Sequence, residues 1–259
     1  MNVVFLCDDE PFHIPSTVHE VMTRLPHHRY TVVSFPGHGS FLMFTKNVSR
    51  YFALYGPFGF PVRAMQFIIL KLLAILRVPT RKPHSLSEAA RRGGGRFLFV
   101  NNINTKESRD LLAGGSPDVF FSIACPQILK LKTLEIPKLG VYNIHTSLLP
   151  RDRGMLPSFW TLMDEGSNTG VTLHKMNVKL DDGPILLQRR IEASIRDTSL
   201  HKLISRGKSV AVDLICEAID RLESGDLEFF PNDEALSTSN TFPTRRDVVA
   251  FRRKGGRIW

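Results

Sequence analysis

Along the first 140 or so residues, short apolar runs alternate with longer stretches in which apolar side chains recur at helical spacing. Val3–Cys7 reads as a buried strand, and Tyr30–Phe35, Arg96–Val100, Asp118–Ile123 and Gly140–Asn143 read as four more. Ser16–Leu25 is expected to be a helix with Ser16 or Thr17 near its N-cap, where a hydroxyl can accept a free N–H of the first turn. Lys106–Ala113 and Pro126–Leu134 carry helical patterns between the later strands. Strands alternating with helices predict an α/β fold, a doubly wound, mostly parallel Rossmann-like sheet covered on both faces. Further on, Gly170–Met176 alternates like a strand, Asp181-Asp182-Gly183-Pro184 is a turn, and Ile185–Ile191 is another strand. Leu200–Glu223 reads as one long helix packing on the core.

These patterns divide the chain into a main domain over residues 1–198 and a C-terminal helix with a short, basic, partly irregular tail over 199–259. An apolar helical insertion occupies about residues 41–95 of the main domain. Within it, Phe52–Val78 is rich in Phe, Leu and Ile, and Pro57, Gly59 and Pro61 interrupt its first part. At about 100° per residue, Arg63, Gln66, Lys71 and Arg77 fall within an arc of roughly 140°, leaving a broad apolar face on a single amphipathic helix. Lys71 and the prolines argue against a spanning helix, which needs about 20 mostly apolar residues. The expectation is a helix packed on the core or across a homodimer seam. The competing reading is a membrane-surface contact through 60–78, since a basic stripe beside a large apolar face suits an interfacial helix.

Composition narrows the classes. Of 259 residues, 42% are hydrophobic and 23% charged, which supports a substantial core and excludes global disorder. Cys7, Cys125 and Cys216 lie far apart without a C-x-x-C pair, so neither a disulfide framework nor a metal site is expected. The N-terminal apolar run is too short for a signal peptide and lacks a basic lead, so the expected location is cytoplasmic, with a peripheral membrane position as the variant. A net charge of +9 favours anionic partners without choosing among them. Aromatic residues are thinly interleaved with the basic clusters, which disfavours nucleic acid. After the first strand, Cys7-Asp-Asp-Glu-Pro-Phe-His13 lacks G-x-G-x-x-G, so a dinucleotide fingerprint is missing. A ligand is still expected outside the carboxyl ends of the strands.

Candidate chemistry concentrates in two stretches. In Val141-Tyr-Asn-Ile-His-Thr-Ser-Leu-Leu-Pro150, Asn143 and His145 are two apart and point to the same side of an extended chain. An amide and an imidazole side by side can polarise a carbonyl and carry a proton, although Asn and His also serve as caps at strand ends. In the second stretch, Asp181 and Asp182 precede Gly-Pro, which turn chemistry alone would explain.

Taken together, N-I-H-x-S-L-L-P, then R-G, then a strand with V-x-x-H, then L-D-x-G-P-I-L-x-Q resembles the folate-dependent formyltransferases. That family includes glycinamide ribonucleotide formyltransferase, the methionyl-tRNA formyltransferases, the formyl-folate deformylases and the sugar N-formyltransferases. The tight match covers about Ala124 to Arg190. The resemblance implies that Asn143 stabilises an oxyanion, that His145 polarises the formyl oxygen and passes protons, and that Asp181 orients the histidine. It implies 10-formyltetrahydrofolate as co-substrate, without a metal. The carrier would be held by Ala124, Cys125, Gln127, Ile128 and Leu129 on one side and by Leu180 and Asp181 on the other. Asp8, Thr146, Ser147 and Pro150 are assigned to the acceptor. Thr146 stands where many members have proline, and Asp182 where glycine or threonine is common. Asp182 is either a carboxylate that raises the pKa of Asp181 or a solvated turn residue. His174 reads as a supporting or core histidine rather than a catalytic one.

The acceptor is approached by elimination among family members. The tRNA enzymes carry a further domain that the 60 residues after Ser199 do not supply. The glycinamide ribonucleotide enzymes have an early glycine-rich loop, which Asp8-Asp9-Glu10-Pro11 lacks. The deformylases place a regulatory domain in front. A nucleotide-linked amino sugar is therefore the expected acceptor, and the tail Asn240–Gly256 is reminiscent of small sugar-modifying members. A methionyl-tRNA-type enzyme and a formyl-folate hydrolase are the alternatives, and a non-catalytic folate- or nucleotide-binding sensor or assembly module is the rival from another class.

Overall fold

The computed structural model of the chain describes residues 1–36 and 41–259, the side chains of residues 41–47 excepted. In chain order the strands are β1 (Asn2–Asp8), β2 (Arg29–Phe35), β3 (Arg96–Phe99), β4 (Val119–Ile123), β5 (Val141–His145), β6 (Arg153–Gly154), β7 (Gly170–Lys175), β8 (Ile185–Arg190) and β9 (Ser239–Asn240). The helices are α1 (Ile14–Arg24), α2 (Phe41–Ile75), α3 (Leu86–Arg92), α4 (Lys106–Ala113), α5 (Leu131–Leu134), α6 (Pro157–Met163), α7 (Leu200–Ser224) and α8 (Arg245–Arg253).

Seven strands form one sheet in the order β3-β2-β1-β4-β5-β7-β8. The first five are parallel, and β7 and β8 then run antiparallel to their neighbours. β1 is buried along six of its seven residues because both of its faces are covered. Val3, Phe5 and Cys7 join a core with α1, α3 and α7, while Val4 and Leu6 join a second core with Leu112 of α4. This is the expected α/β, doubly wound, mostly parallel architecture. α7 contributes Leu203, Leu214 and Ile219 to the first core, so the C-terminal helix shares that core with the sheet.

Three local expectations need correction. The first helix runs Ile14–Arg24, and its start is capped by neither Ser16 nor Thr17. The Glu10 carboxylate accepts the N–H groups of Phe12, His13 and Ile14, while the hydroxyls of Ser16 and Thr17 donate back to the His13 carbonyl. Pro126–Leu134 is helical only over Leu131–Leu134. The Asn104 side chain occupies backbone groups of the preceding loop instead, accepting from the Lys130 N–H and donating to the Ile128 carbonyl. Phe52–Val78 is not a single helix, because Gly56 sits at φ 76° and ψ −179° and splits α2 into two arms. That left-handed backbone suits glycine, and Pro57 then fits the start of the second arm, where no N–H bond is lost.

The second arm also faces the opposite way from the expectation of a core-packed apolar face. Two of its basic residues turn inward: Lys71 pairs with Asp9 at 2.6 Å, and the Arg63 guanidinium lies 3.2 Å from the centre of the Phe12 ring. No residue from 57 to 79 is buried.

Candidate active site

The carboxyl ends of β4 and β5 lie side by side, and the β7–β8 turn, which leaves β7 beside the start of β5, folds back so that Asp181 reaches His145 and the loop after β5. Asn143 pairs in register with His174 of β7, which brings these side chains together across the antiparallel ladder. Asn143 Nδ2 lies 3.2 Å from His174 Nε2 and donates to Asp181 Oδ1 at 3.4 Å. Asp181 Oδ2 sits 3.6 Å from His145 Nδ1, and its Oδ1 sits 3.6 Å from His174 Nε2. The three residues singled out in the sequence therefore meet, and His174 joins them as a buried partner.

Each is held from behind. His145 is buried, and its Nε2 donates to the Asp152 carbonyl at 2.8 Å. A carbonyl only accepts, so Nε2 carries the proton in the neutral ring and Nδ1 is left to face Asp181. Burial pulls the His145 pKa below its ordinary value, and the Asp181 charge and the Asp152 carbonyl offset part of that shift. Burial acts to raise the Asp181 pKa. The bond toward His174, the His145 charge and the Gly154 N–H outweigh it and hold the carboxyl at about 2.

The Gly154 N–H reaches Asp181 Oδ2 at 2.9 Å, and Asn232 Nδ2 donates to the Asp181 carbonyl at 2.9 Å. Gly154 in turn pairs with Asn240 through the parallel β6–β9 bridge. Asn240 Nδ2 donates to Asp152 Oδ1 at 2.8 Å, and Thr238 Oγ1 accepts the Asp152 N–H at 2.9 Å. Gln188 clamps the loop after β5 by donating to the Leu149 carbonyl at 2.8 Å, next to the cis Leu149–Pro150 bond. Four non-glycine residues around this site, Ala124, Asp152, Leu156 and Asp181, have φ between 48° and 59°. Such conformations persist where surrounding bonds over-determine them, and they gather at functional sites.

Asp182 is half-buried rather than solvated, and the Asp181 pKa lies below its ordinary value rather than above it. Asp182 pairs with the buried Arg153 at 2.9 Å, and Arg153 also donates to Asn232 Oδ1 at 3.0 Å. The sequence reading missed Asp152, Arg153, Asn232, Thr238 and Asn240. The R-G step of the motif pointed to Arg153-Gly154, whereas no local signal marks Asn232 or Asn240.

The remaining candidates are distributed unevenly. Ile128 and Leu180 are exposed at 75% and 66%, on the loop after β4 and the loop before Asp181. Ala124 is exposed and Cys125 half-buried, with its Sγ directed at the Gln127 carbonyl. Gln127 is engaged with Asn101 and Ile103, and Leu129 is buried in the second core. Thr146 accepts a hydrogen bond from Ser158, and Pro150 is half-buried. Ser147 is fully buried and donates to the Arg151 carbonyl, so it lies beneath the site surface. Asp8 is buried at the end of β1, two strands from β5. Among the described residues, no His, Cys or carboxylate cluster of metal-binding form falls at this site.

Comparison with known proteins agrees with this arrangement. A family model described as formyl transferase matches residues 83–219, which is 137 of the 259 residues. The chain belongs to the formyl transferase family. Within the family it is similar to the methionyl-tRNA formyltransferase of Kosmotoga olearia, with 32% identity over 67% of this chain and 56% of that protein. The chain thus spans about half the length of the curated relatives it matches. The family fold is shared with a solved N-formyltransferase from Helicobacter canadensis in complex with folinic acid and dTDP-3-aminofucose. That match has a TM-score of 0.60 at 17% identity and covers 95% of this chain and 71% of that one. A phosphoribosylglycinamide formyltransferase from Anaplasma phagocytophilum superposes with a TM-score of 0.61 at 15% identity, over 93% of this chain and 98% of that one.

Proposed function

We propose that this protein is a cytoplasmic folate-dependent N-formyltransferase that moves the formyl group of 10-formyltetrahydrofolate to the amine of a nucleotide-linked amino sugar. The observation that carries this reading is the linked set Asn143, His145 and Asp181 at the carboxyl edge of a formyl transferase sheet. Asn143 offers amide hydrogens, one of them in a long 3.4 Å contact that an arriving carbonyl oxygen can replace. A fixed donor at a developing negative oxygen is worth about 10²–10³ in rate. His145 is neutral near pH 7 because burial lowers its pKa, so its Nδ1 can take the proton of the attacking amine. Asp181 stabilises the resulting imidazolium. The same proton returns to the folate nitrogen as its bond to the formyl carbon breaks and the new amide forms. No metal is required.

Ile128 and Leu180 supply exposed apolar surface for a flat heteroaromatic ring, with backbone groups from Ala124 to Leu129 beside it. Asp8, Thr146 and Pro150 remain the proposed acceptor side. The sugar acceptor is supported by the Helicobacter canadensis enzyme, whose crystal held a nucleotide amino sugar. Residues 239–240 of the tail also reach the site loop. Methionyl-tRNA is the second acceptor to test, given the sequence relatives.

The test is incubation of the full chain with 10-formyltetrahydrofolate and a panel of nucleotide amino sugars, followed by mass measurement. One added formyl group on a sugar, lost in His145→Ala, is the expected result. Formylation of methionyl-tRNA alone would overturn the acceptor. Formate release without any acceptor would make the chain a hydrolase, and tight folate binding with no turnover would make it a sensor.

A further inference from the structure

The second arm of α2 presents its apolar face to the outside. Phe58, Val62, Met65, Ile69, Leu72 and Leu76 recur at alternating spacings of four and three, and they are exposed at 88%, 53%, 58%, 47%, 50% and 70%. With Ile68 and Ile75 beside them, they cover an arc of roughly 140° at about 100° per residue. Mean hydropathy reaches 1.6 in Val48–Ile75, and the most apolar stretch of that segment lies unburied. A soluble helix normally does the reverse, hiding its apolar stripe and showing its charges. Here the inward charges are held by Asp9 and the Phe12 ring, so the orientation is fixed by specific partners.

Charge decides what covers such a face. Residues 21–87 contain nine Lys and Arg and not one Asp or Glu, while the rest of the chain carries 25 of each sign. The whole net charge of +9 therefore resides in the segment that contains this helix. Arg77, Arg81 and Lys82 are exposed at its C-terminal end. At the other end, Arg252 donates to the carbonyls of Leu54 and Tyr55 at the corner, with exposed Arg253 and Lys254 beside it. Trp259 lies against Gly59, half exposed, and helps line a shallow apolar hollow of about 500 Å³ with Phe58 and Val62. A second copy of the chain would bring like charges together around an apolar seam, whereas paired helices normally place opposite charges there. An anionic bilayer meets both properties, because acyl chains take the apolar face and phosphate groups take the basic flanks.

We propose that the second arm of α2 is an interfacial helix that seats the protein on an anionic lipid bilayer. Its apolar face enters the boundary between headgroups and acyl chains, and Trp259 and the basic termini lie at headgroup level. It lies along the surface and does not cross. Contacts to the body at Gly59, Arg63 and Lys71 hold about 18 Å of its axis, at 1.5 Å per residue, against the catalytic domain. A span needs about 30 Å of unobstructed helix. The proposal does not depend on the identity of the acceptor.

The test is sedimentation of the full chain with vesicles of phosphatidylcholine alone or mixed with phosphatidylglycerol. Binding to the mixed vesicles is expected, with weakening in salt and a blue shift of tryptophan emission. The double substitution Ile69→Gln with Leu72→Gln, at exposed positions, is expected to lower partitioning about tenfold or more, since each side chain no longer leaves water. Arg77→Gln, Arg81→Gln and Lys82→Gln are each expected to cost about fivefold on the anionic vesicles only. Circular dichroism of each variant checks that it is folded. A chain that stays in the supernatant with anionic vesicles overturns the proposal. So does binding unaffected by the Ile69 and Leu72 changes, or a dimer in sedimentation velocity that those changes convert to monomer.

Discussion

The Gly154 backbone N–H donates to Asp181 Oδ2 at 2.9 Å, so the carboxylate facing His145 is positioned by a segment outside β5, the strand that carries Asn143 and His145. That segment is fastened by the pairing of Arg153 and Gly154 with Ser239 and Asn240, and the tail is thereby part of the site.

Gly154 is the most exposed point of this coupling to substitution. Its φ is 97°, and a Cβ would stand 2.3 Å from the Asn240 carbonyl oxygen. Gly154→Ala is expected to lower kcat by about 10², as a small misplacement of a catalytic group does. It should also cost about 1–3 kcal/mol of stability in urea unfolding through backbone strain. An alanine enzyme with native kcat would show that Asp181 does not depend on this segment.

The pH profile should report His145. Its pKa lies below the ordinary 6.5 because it is buried, so kcat/KM should fall only on the acid side, with a midpoint under 6.5. Asp181 acts to raise that pKa, so Asp181→Asn should move the midpoint of the residual activity lower still. A limb at or above 6.5 in the native enzyme would contradict the neutral-base role.

Asp181 also predicts a stability window. Its folded pKa of about 2 lies below the ordinary value of 3.8, so its ionised form stabilises the fold at higher pH. That contribution is full above about pH 4 and is lost as pH falls toward 2. It is on the order of 2 kcal/mol by linkage. Denaturant midpoints of the native chain and Asp181→Asn, measured across that range, should converge as acid is added. Parallel curves would count against the depressed pKa.

The buried Arg153 bridges Asp182 and Asn232. Truncating it removes the buried donor shared by both partners and leaves half-buried Asp182 with Asn177 alone, so Arg153→Ala is expected to cost about 1–3 kcal/mol. Asp182→Asn should cost less, because it keeps an acceptor for Arg153 and leaves the bonds to Asn232 in place. Urea unfolding of the two variants ranks them, and the reverse order would refute the bridge as described.

Much of the fold was legible because it is local. Lys106–Ala113 appears as expected, with Thr105 capping it, and β1 is buried on both faces, as its unbroken apolar run implies. Asn143 and His145 are two residues apart on one strand, so their shared side follows from backbone geometry alone. Periodicity also placed Arg63 and Lys71 on the polar side of the second arm, whereas Arg77 lies beyond the end of the helix. It carries no information on which stripe meets the body, and that was decided by Asp9 and Phe12, which lie some 50 to 60 residues earlier in the chain. The same distance hides the supports of the site: Asn232 and Asn240 reach Asp181 and Asp152 from 51 and 88 residues away. The amino-acid order by itself determined the seven strands of the main sheet, the residue types of the proposed catalytic set and the uneven placement of charge. Tertiary packing alone decided what holds Asp181 in place and which way the apolar helix faces, because both depend on partners that only folding brings within hydrogen-bonding reach.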